Sequence, residues 1–270
     1  MWRFLGIGLA LWAGSLPDAA PAQTRTPSHC LAFADGGARV YKAALTHDQV
    51  QITYADHSMY VIDTFGGLRV VTDYNGFIGQ VEKIPDVVTM NKGHSSHYTD
   101  HPDPRIPHVL RGWDLDGGVA DYELELGEML VRNVTTDIRN AFTGQEPDGN
   151  SIFIFEVAGL CIGHLGHLHH IPSDEQFARI GRLDVVMAAV DGSMTLDLPS
   201  MVQVLKRLRA SVVLPMHWFG RGTLDRFVSG MRDEFEVVTL KDSSFVISQD
   251  LLPNRPTVMI IPPRFVTEYE

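Results

Sequence analysis

Short apolar runs rich in β-branched residues recur through the first two thirds of the chain. Gln51-Ile52-Thr53-Tyr54 and Ser58-Met59-Tyr60-Val61-Ile62 have the β-branched and aromatic content of strands. Gly66-Gly67 supplies a turn into Leu68-Arg69-Val70-Val71-Thr72, which predicts a hairpin of short strands. Asp86-Val87-Val88-Thr89-Met90 is a fourth run and ends at a polar, His-rich loop. Two more strand pairs are predicted, 120–126 with 129–134 and 151–157 with 160–163. Beyond residue 170 the spacing turns partly helical. Ser173 and Gln176 form a capping box, predicting a helix to about Ile180, and Leu183-Asp184-Val185-Val186-Met187 reads as a strand. Asp197 can cap a helix with Met201, Val202, Leu205 and Leu208 on one face. Val212-Val213-Leu214 is a strand, Thr223 is a candidate cap for a helix through Phe227 and Met231, and 236–240 is a strand again. Pro-rich stretches at 102–107 and 253–263 read as surface loops. Strand pairs followed by β-α alternation predict a layered α+β protein.

Composition narrows the class. The chain has 270 residues, 44% hydrophobic and 20% charged, which excludes a disordered, fibrous or multi-span membrane protein. A net charge of −11 excludes a global basic field for nucleic acid or anionic membranes. Residues 1–22 read as a signal peptide: Arg3, an apolar run from Phe4 to Trp12, then Ala20-Pro21-Ala22 before Gln23. The run is shorter than the roughly 20 residues of a bilayer span, so cleavage is expected over an uncleaved anchor. The mature chain, 23–270, is then one domain, periplasmic or secreted, with no stable membrane insertion. Cys30 and Cys161 could pair in an oxidising compartment, or Cys161 could be a buried thiol in a strand; the spacing leaves both open.

Histidines change the picture most. Four motifs each follow an apolar run: Asp56-His57-Ser58, Gly93-His94-Ser95-Ser96-His97, His164-Leu165-Gly166-His167-Leu168-His169-His170, and Pro215-Met216-His217-Trp218. Imidazole is a common ligand for zinc and other borderline metals, and ligands gathered at strand ends make an open catalytic site. A lone His after a strand is more often a hydrogen-bonded cap, which is the preferred reading of His57. By base rate Lys92 is a solvated charge, and Trp218 reads as a wall or core residue.

From residue 50 to about 218 the chain resembles the metallo-β-lactamase-fold hydrolases, and within them the L-ascorbate-6-phosphate lactonase branch. The resemblance rests on Ile52-Thr53-Tyr54-Ala55-Asp56-His57-Ser58, Arg69-Val70-Val71-Thr72-Asp73, Asp86 to Met90 with its loop, His164-Leu165-Gly166-His167, and Val213-Leu214-Pro215-Met216-His217. It implies a four-layer αββα sandwich, a metal site, and a small-molecule substrate. Asp73 would support a metal-ligating His. Where the family carries His-x-His-x-Asp-His, this chain reads Lys92-Gly93-His94-Ser95-Ser96-His97, and the family's bridging Asp is replaced by His167.

A bridged dinuclear centre is therefore not expected. The position-by-position reading places one zinc on His97, His167 and His217, with His94 and His164 forming at most a weaker second site; manganese and iron are the alternative ions. Lys92 would stabilise an oxyanion or bind a substrate carboxylate or phosphate. At most one of His169 and His170 would face the metal. Arg139, in the polar stretch 127–150 expected at the entrance, is a candidate for recognising an anion. The implied activity is hydrolysis of a small ester, lactone or phosphodiester by a metal-bound hydroxide. The alternative is a non-catalytic metal- or ligand-binding member of the fold with a degenerate site.

Overall fold

The computed structural model describes residues 28–31, 48–140 and 144–268, so the expected signal segment lies outside the described residues. The apolar runs become strands. β1 (Val50–Asp56), β2 (Met59–Thr64) and β3 (Arg69–Val71) form an antiparallel meander, and after the short β4 (Gly79–Gln80) the strands β5 (Val87–Met90) and β6 (His108–Arg111) extend it in parallel. β7 (Glu123–Leu126), β8 (Met129–Ile138), β9 (Glu146–Val157) and β10 (Leu160–His164) make a second antiparallel series. The chain then alternates through α1 (Asp174–Ile180), β11 (Val185–Ala189), α2 (Leu198–Leu208), β12 (Val212–Met216), α3 (Arg221–Met231) and β13 (Glu236–Thr239). β14 (Ser244–Ile247), β15 (Thr257–Ile260) and β16 (Val266–Thr267) complete it. The sheet orders are β14-β1-β2-β3-β5-β6 and β13-β15-β12-β11-β10-β9-β8-β7, with β16 and β4 as a separate pair.

Burial on both faces of the central strands explains their nearly continuous apolar sequences. Between the sheets, Ile52, Tyr60, Ile62 and Val70 meet Phe153, Phe155, Ile162, Met187 and Leu214. Met59 and Val61, the alternate residues of β2, face the other way and pack with Val88, Met90, Tyr98, Trp113 and Val266. The outer face of the larger sheet is covered by helices, with Ile180, Met201, Leu205, Phe227 and Met231 against Val186 and Val213. The result is the expected α+β sandwich; among the described residues the outer face of the smaller sheet is covered by loops and the β4–β16 pair.

Two expectations need correcting, and one open question closes. The Pro-rich stretch 253–263 contains a strand, β15, which pairs in parallel with β12 and β13. Its prolines flank the Thr257–Ile260 run instead of interrupting it, so no ladder N–H is lost. Thr223 does not cap α3: the N-cap is Gly220, without a side-chain hydrogen bond, and Thr223 lies in the first turn. The capping box of Ser173 and Gln176 and the Asp197 cap are as expected. Cys30 and Cys161 are joined in a disulfide across 131 residues, with both side chains buried. Beside it, Glu156 accepts from the Ser28 hydroxyl, the His29 and Cys30 amides and Arg132 Nε, which ties the 28–31 segment to β9.

Candidate metal centre

Parallel strands bring their C-terminal ends to one edge, and the site is assembled there from both sheets. Asp73 follows β3, the loop with His94 and His97 follows β5, Asp191 follows β11, and His217 follows β12. His57 enters from the β1–β2 turn. Three of these residues, His57 (φ 42°), Asp73 (φ 44°) and His217 (φ 55°), have left-handed backbone, which is strained for residues with a Cβ. The neighbouring bonds hold them there. The His217 amide donates to the His57 carbonyl at 2.8 Å, and the Tyr54 hydroxyl donates to the same oxygen at 2.5 Å.

Ligating atoms of His57, His94, His97 and His217 all lie within 4.8 Å of one another. His97 Nδ1 donates to Asp73 Oδ2 at 2.5 Å, while the Asn91 amide fixes the other carboxylate oxygen at 2.9 Å. That leaves the Nε2 lone pair of His97 buried and without a partner. His57 Nε2 is likewise buried and unpartnered. His217 Nδ1 lies 3.1 Å from Asp191 Oδ1, and His94 Nδ1 is 2.8 Å from the Ser96 hydroxyl. The Nε2 atoms of His94 and His217 approach to 3.2 Å. Two tetrahedral ligands at zinc–nitrogen distances of 2.0–2.1 Å stand about 3.3 Å apart, so this spacing fits a shared cation.

The electrostatics agree with neutral rings beside fixed anions. Burial, then the neighbouring imidazoles, push His57 down to about 3 and His94 to about 4. Burial alone would raise Asp73, but the electrostatic influence of His164 and the hydrogen bonds from His97 and Asn91 hold the carboxyl down to about 2. Asp191 is held far below the usual carboxylate range, against burial, by His217, Thr195 and the Ser193 amide. Neutral imidazole is the state a metal requires, and buried carboxylates behind the rings raise their basicity. The residues present therefore fit a borderline divalent ion.

The remaining sequence candidates are placed differently from the expectation. His164 lies one layer deeper. Its Nδ1 accepts from the Gly166 amide at 3.1 Å, so Nε2 carries the proton and donates to the Ser58 carbonyl at 2.8 Å. Both ring nitrogens are used, which removes His164 from the ligand set. The Lys92 ammonium pairs with Glu146, itself bonded to Asn140, so Lys92 does not join the cluster. One terminal nitrogen of the Arg139 guanidinium, Nη2, donates to the carbonyls of Ser193, Met194 and Thr195, at 2.7 to 3.0 Å, which ties Arg139 to that loop. His167 stands beside the cluster, its ring centroid 4.7 Å from that of His97 and 5.2 Å from those of His94 and His217. Its Nε2 is buried and unpartnered, and its Nδ1 is 2.6 Å from His169 Nε2.

His57, Asp191 and Phe219 are the residues that sequence reasoning ranked too low or missed. Phe219 is 66% exposed and lies 5.2 Å from His217 and 5.5 Å from His57, forming an apolar wall at the mouth. The available signal for Asp191 was a carboxylate at the end of the apolar run Val185 to Val190, in a stretch that otherwise reads as a turn.

Comparison with known proteins agrees with this architecture. Residues 51–217 match the family profile described as the beta-lactamase superfamily domain. A UPF0173 metal-dependent hydrolase of Methanosphaerula palustris is 23% identical over 205 residues, covering 70% of this chain and 93% of that protein. One from Anaeromyxobacter dehalogenans is 24% identical over 234 residues, covering 72% and 85%. Among solved structures, a protein of Thermotoga maritima described as a Zn-dependent hydrolase of the metallo-β-lactamase superfamily is similar at 23% identity. It has a TM-score of 0.55 and is covered to 98%, against 78% of this chain. The matched span contains every histidine of the cluster, and the chain belongs to the metallo-β-lactamase superfamily.

Proposed function

We propose that the protein is a metal-dependent hydrolase built on one ion held among His57, His94, His97 and His217. The observation that carries this is the convergence of four imidazoles, two of them with buried, unpartnered Nε2 atoms. The description of the archaeal and bacterial relatives as metal-dependent hydrolases supports it. An all-imidazole donor set suits zinc and iron better than manganese, which favours oxygen ligands. When bound, such an ion supplies Lewis acidity and lowers the pKa of a coordinated water to about 7.

The chain's own residues do the rest. Asp73 and Asp191 orient His97 and His217, and Phe219 offers an apolar surface beside the rings. A small ester, lactone or phosphodiester with an apolar part is the substrate class that this mouth suits. Export to the periplasm or beyond is part of the same proposal, supported by the N-terminal signal grammar and by a buried disulfide, which persists in oxidising compartments. The test is metal analysis of protein purified without chelators, followed by turnover assays on p-nitrophenyl esters, simple lactones and bis-p-nitrophenyl phosphate. About one zinc or iron per chain, with turnover abolished by His97→Ala, is expected. Bound metal without turnover of any class would favour a non-catalytic binding role.

A further inference from the structure

The residue that replaces the family's bridging carboxylate has a fixed hydrogen-bond polarity. The Arg139 backbone amide donates to His169 Nδ1 at 2.5 Å. A backbone N–H cannot accept, so His169 carries its proton on Nε2 and donates it to His167 Nδ1 at 2.6 Å. His167 must then carry its own proton on Nε2. An imidazolium at either ring, or the opposite tautomer, would set two N–H groups against each other. The His167 Nε2–H is buried and has no protein acceptor. Its ring is seated tightly: a Cβ on Gly93 would fall 2.7 Å from His167 Cδ2, and the His167 amide donates to Asn150 Oδ1 at 2.7 Å.

We propose that His167 is a hydrogen-bond donor to a substrate oxygen at this centre and not a metal ligand. This rests on the metal-hydrolase reading above and deepens it. A neutral imidazole whose Nε2 bears a proton offers no lone pair there, so it cannot bond to an ion through that atom. The ring stands beside the four proposed ligands, and its Nε2–H has no acceptor in the protein, so it is left to meet one that the site takes up. The chemistry it recognises is a carbonyl or phosphoryl oxygen that gains negative charge, where a carboxylate at this position would repel it. His169 and the Arg139 backbone are positioning groups, since they act only by holding the proton of His167 on its inner nitrogen.

The experiment uses the cadmium-113-loaded protein with 15N-labelled histidine. Cadmium–nitrogen coupling is expected at His97 and His217 and absent at His167, whose Nε2 is expected to show a directly bonded proton. In zinc competition, His167→Leu is expected to stay within about threefold of wild type, while His97→Ala loses at least about a hundredfold. Inorganic phosphate, used as an oxyanion probe of the zinc form, is expected to bind about tenfold more weakly to His167→Leu and to be largely restored in His167→Gln, whose amide keeps an N–H. Cadmium coupling at His167 Nε2, or loss of zinc on His167→Leu as severe as on His97→Ala, would overturn this role and leave the metal-hydrolase reading standing. Failure of wild type to bind either ion would overturn both.

Discussion

At the scale of single residues, the centre depends on carboxylates that never touch the proposed ion. Asp73 fixes the tautomer of His97, and Asn91 fixes Asp73. Asp73→Asn keeps the shape but weakens the acceptor and offers an N–H in its place, so His97 is free to present either nitrogen. Metal affinity is expected to fall about 10- to 100-fold, read by competition with a chromophoric chelator. Unchanged affinity would mean that His97 is not a ligand. The sequence made Asp73, His94, His97 and His217 legible because each follows an apolar run at a recognisable spacing. It hid the roles of His164 and His167, which are decided by where one proton sits. Those protons are set by Gly166 for the first ring and, through His169, by the Arg139 amide for the second. No spacing rule carries that information.

At the scale of elements, β-branched composition was enough to find most strands of both sheets, and capping residues were enough to find α1 and α2. β15 escaped because proline density around it outweighed a four-residue apolar run whose partners lie far away in sequence. The same distance made the disulfide unreadable. The 28–31 segment is held to β9 and β10 by Cys30–Cys161 and by the contacts of Glu156. Opening a loop of this length in the unfolded chain is expected to cost about 2–5 kcal/mol. Urea denaturation of Cys161→Ala against wild type should show that loss in the midpoint. A difference under about 1 kcal/mol would show that the Glu156 anchor alone secures the segment.

At the scale of the whole molecule, packing the imidazoles together makes stability depend on pH. In the folded protein His57 lies at about 3, His94 and His169 at about 4 and His167 at about 2, against an ordinary value of 6.5. Below about pH 6.5 the unfolded chain therefore binds more protons than the folded one, so stability falls as pH falls from there towards 4. Asp73, with a folded value of about 2 against 3.8, adds a loss in the same direction only below about pH 4. Chelated protein is expected to show a Tm that declines from pH 7 to pH 5. The metal-loaded form should start higher and decline more steeply, because protons compete for its ligands. A Tm independent of pH over that range would rule out neutral buried rings.

The left-handed backbone at His57, Asp73 and His217 has a consequence for anyone seeking a hardier form of the protein. At those positions the chain would prefer glycine, and each side chain persists at a cost of about 1–3 kcal/mol. A stability screen run without metal should therefore favour His57→Gly as a winner, with a Tm equal to or above that of wild type and a lost capacity for metal. Robustness and chemistry pull in opposite directions at the same three corners of the fold. A selection that rewards only the first would erase the second.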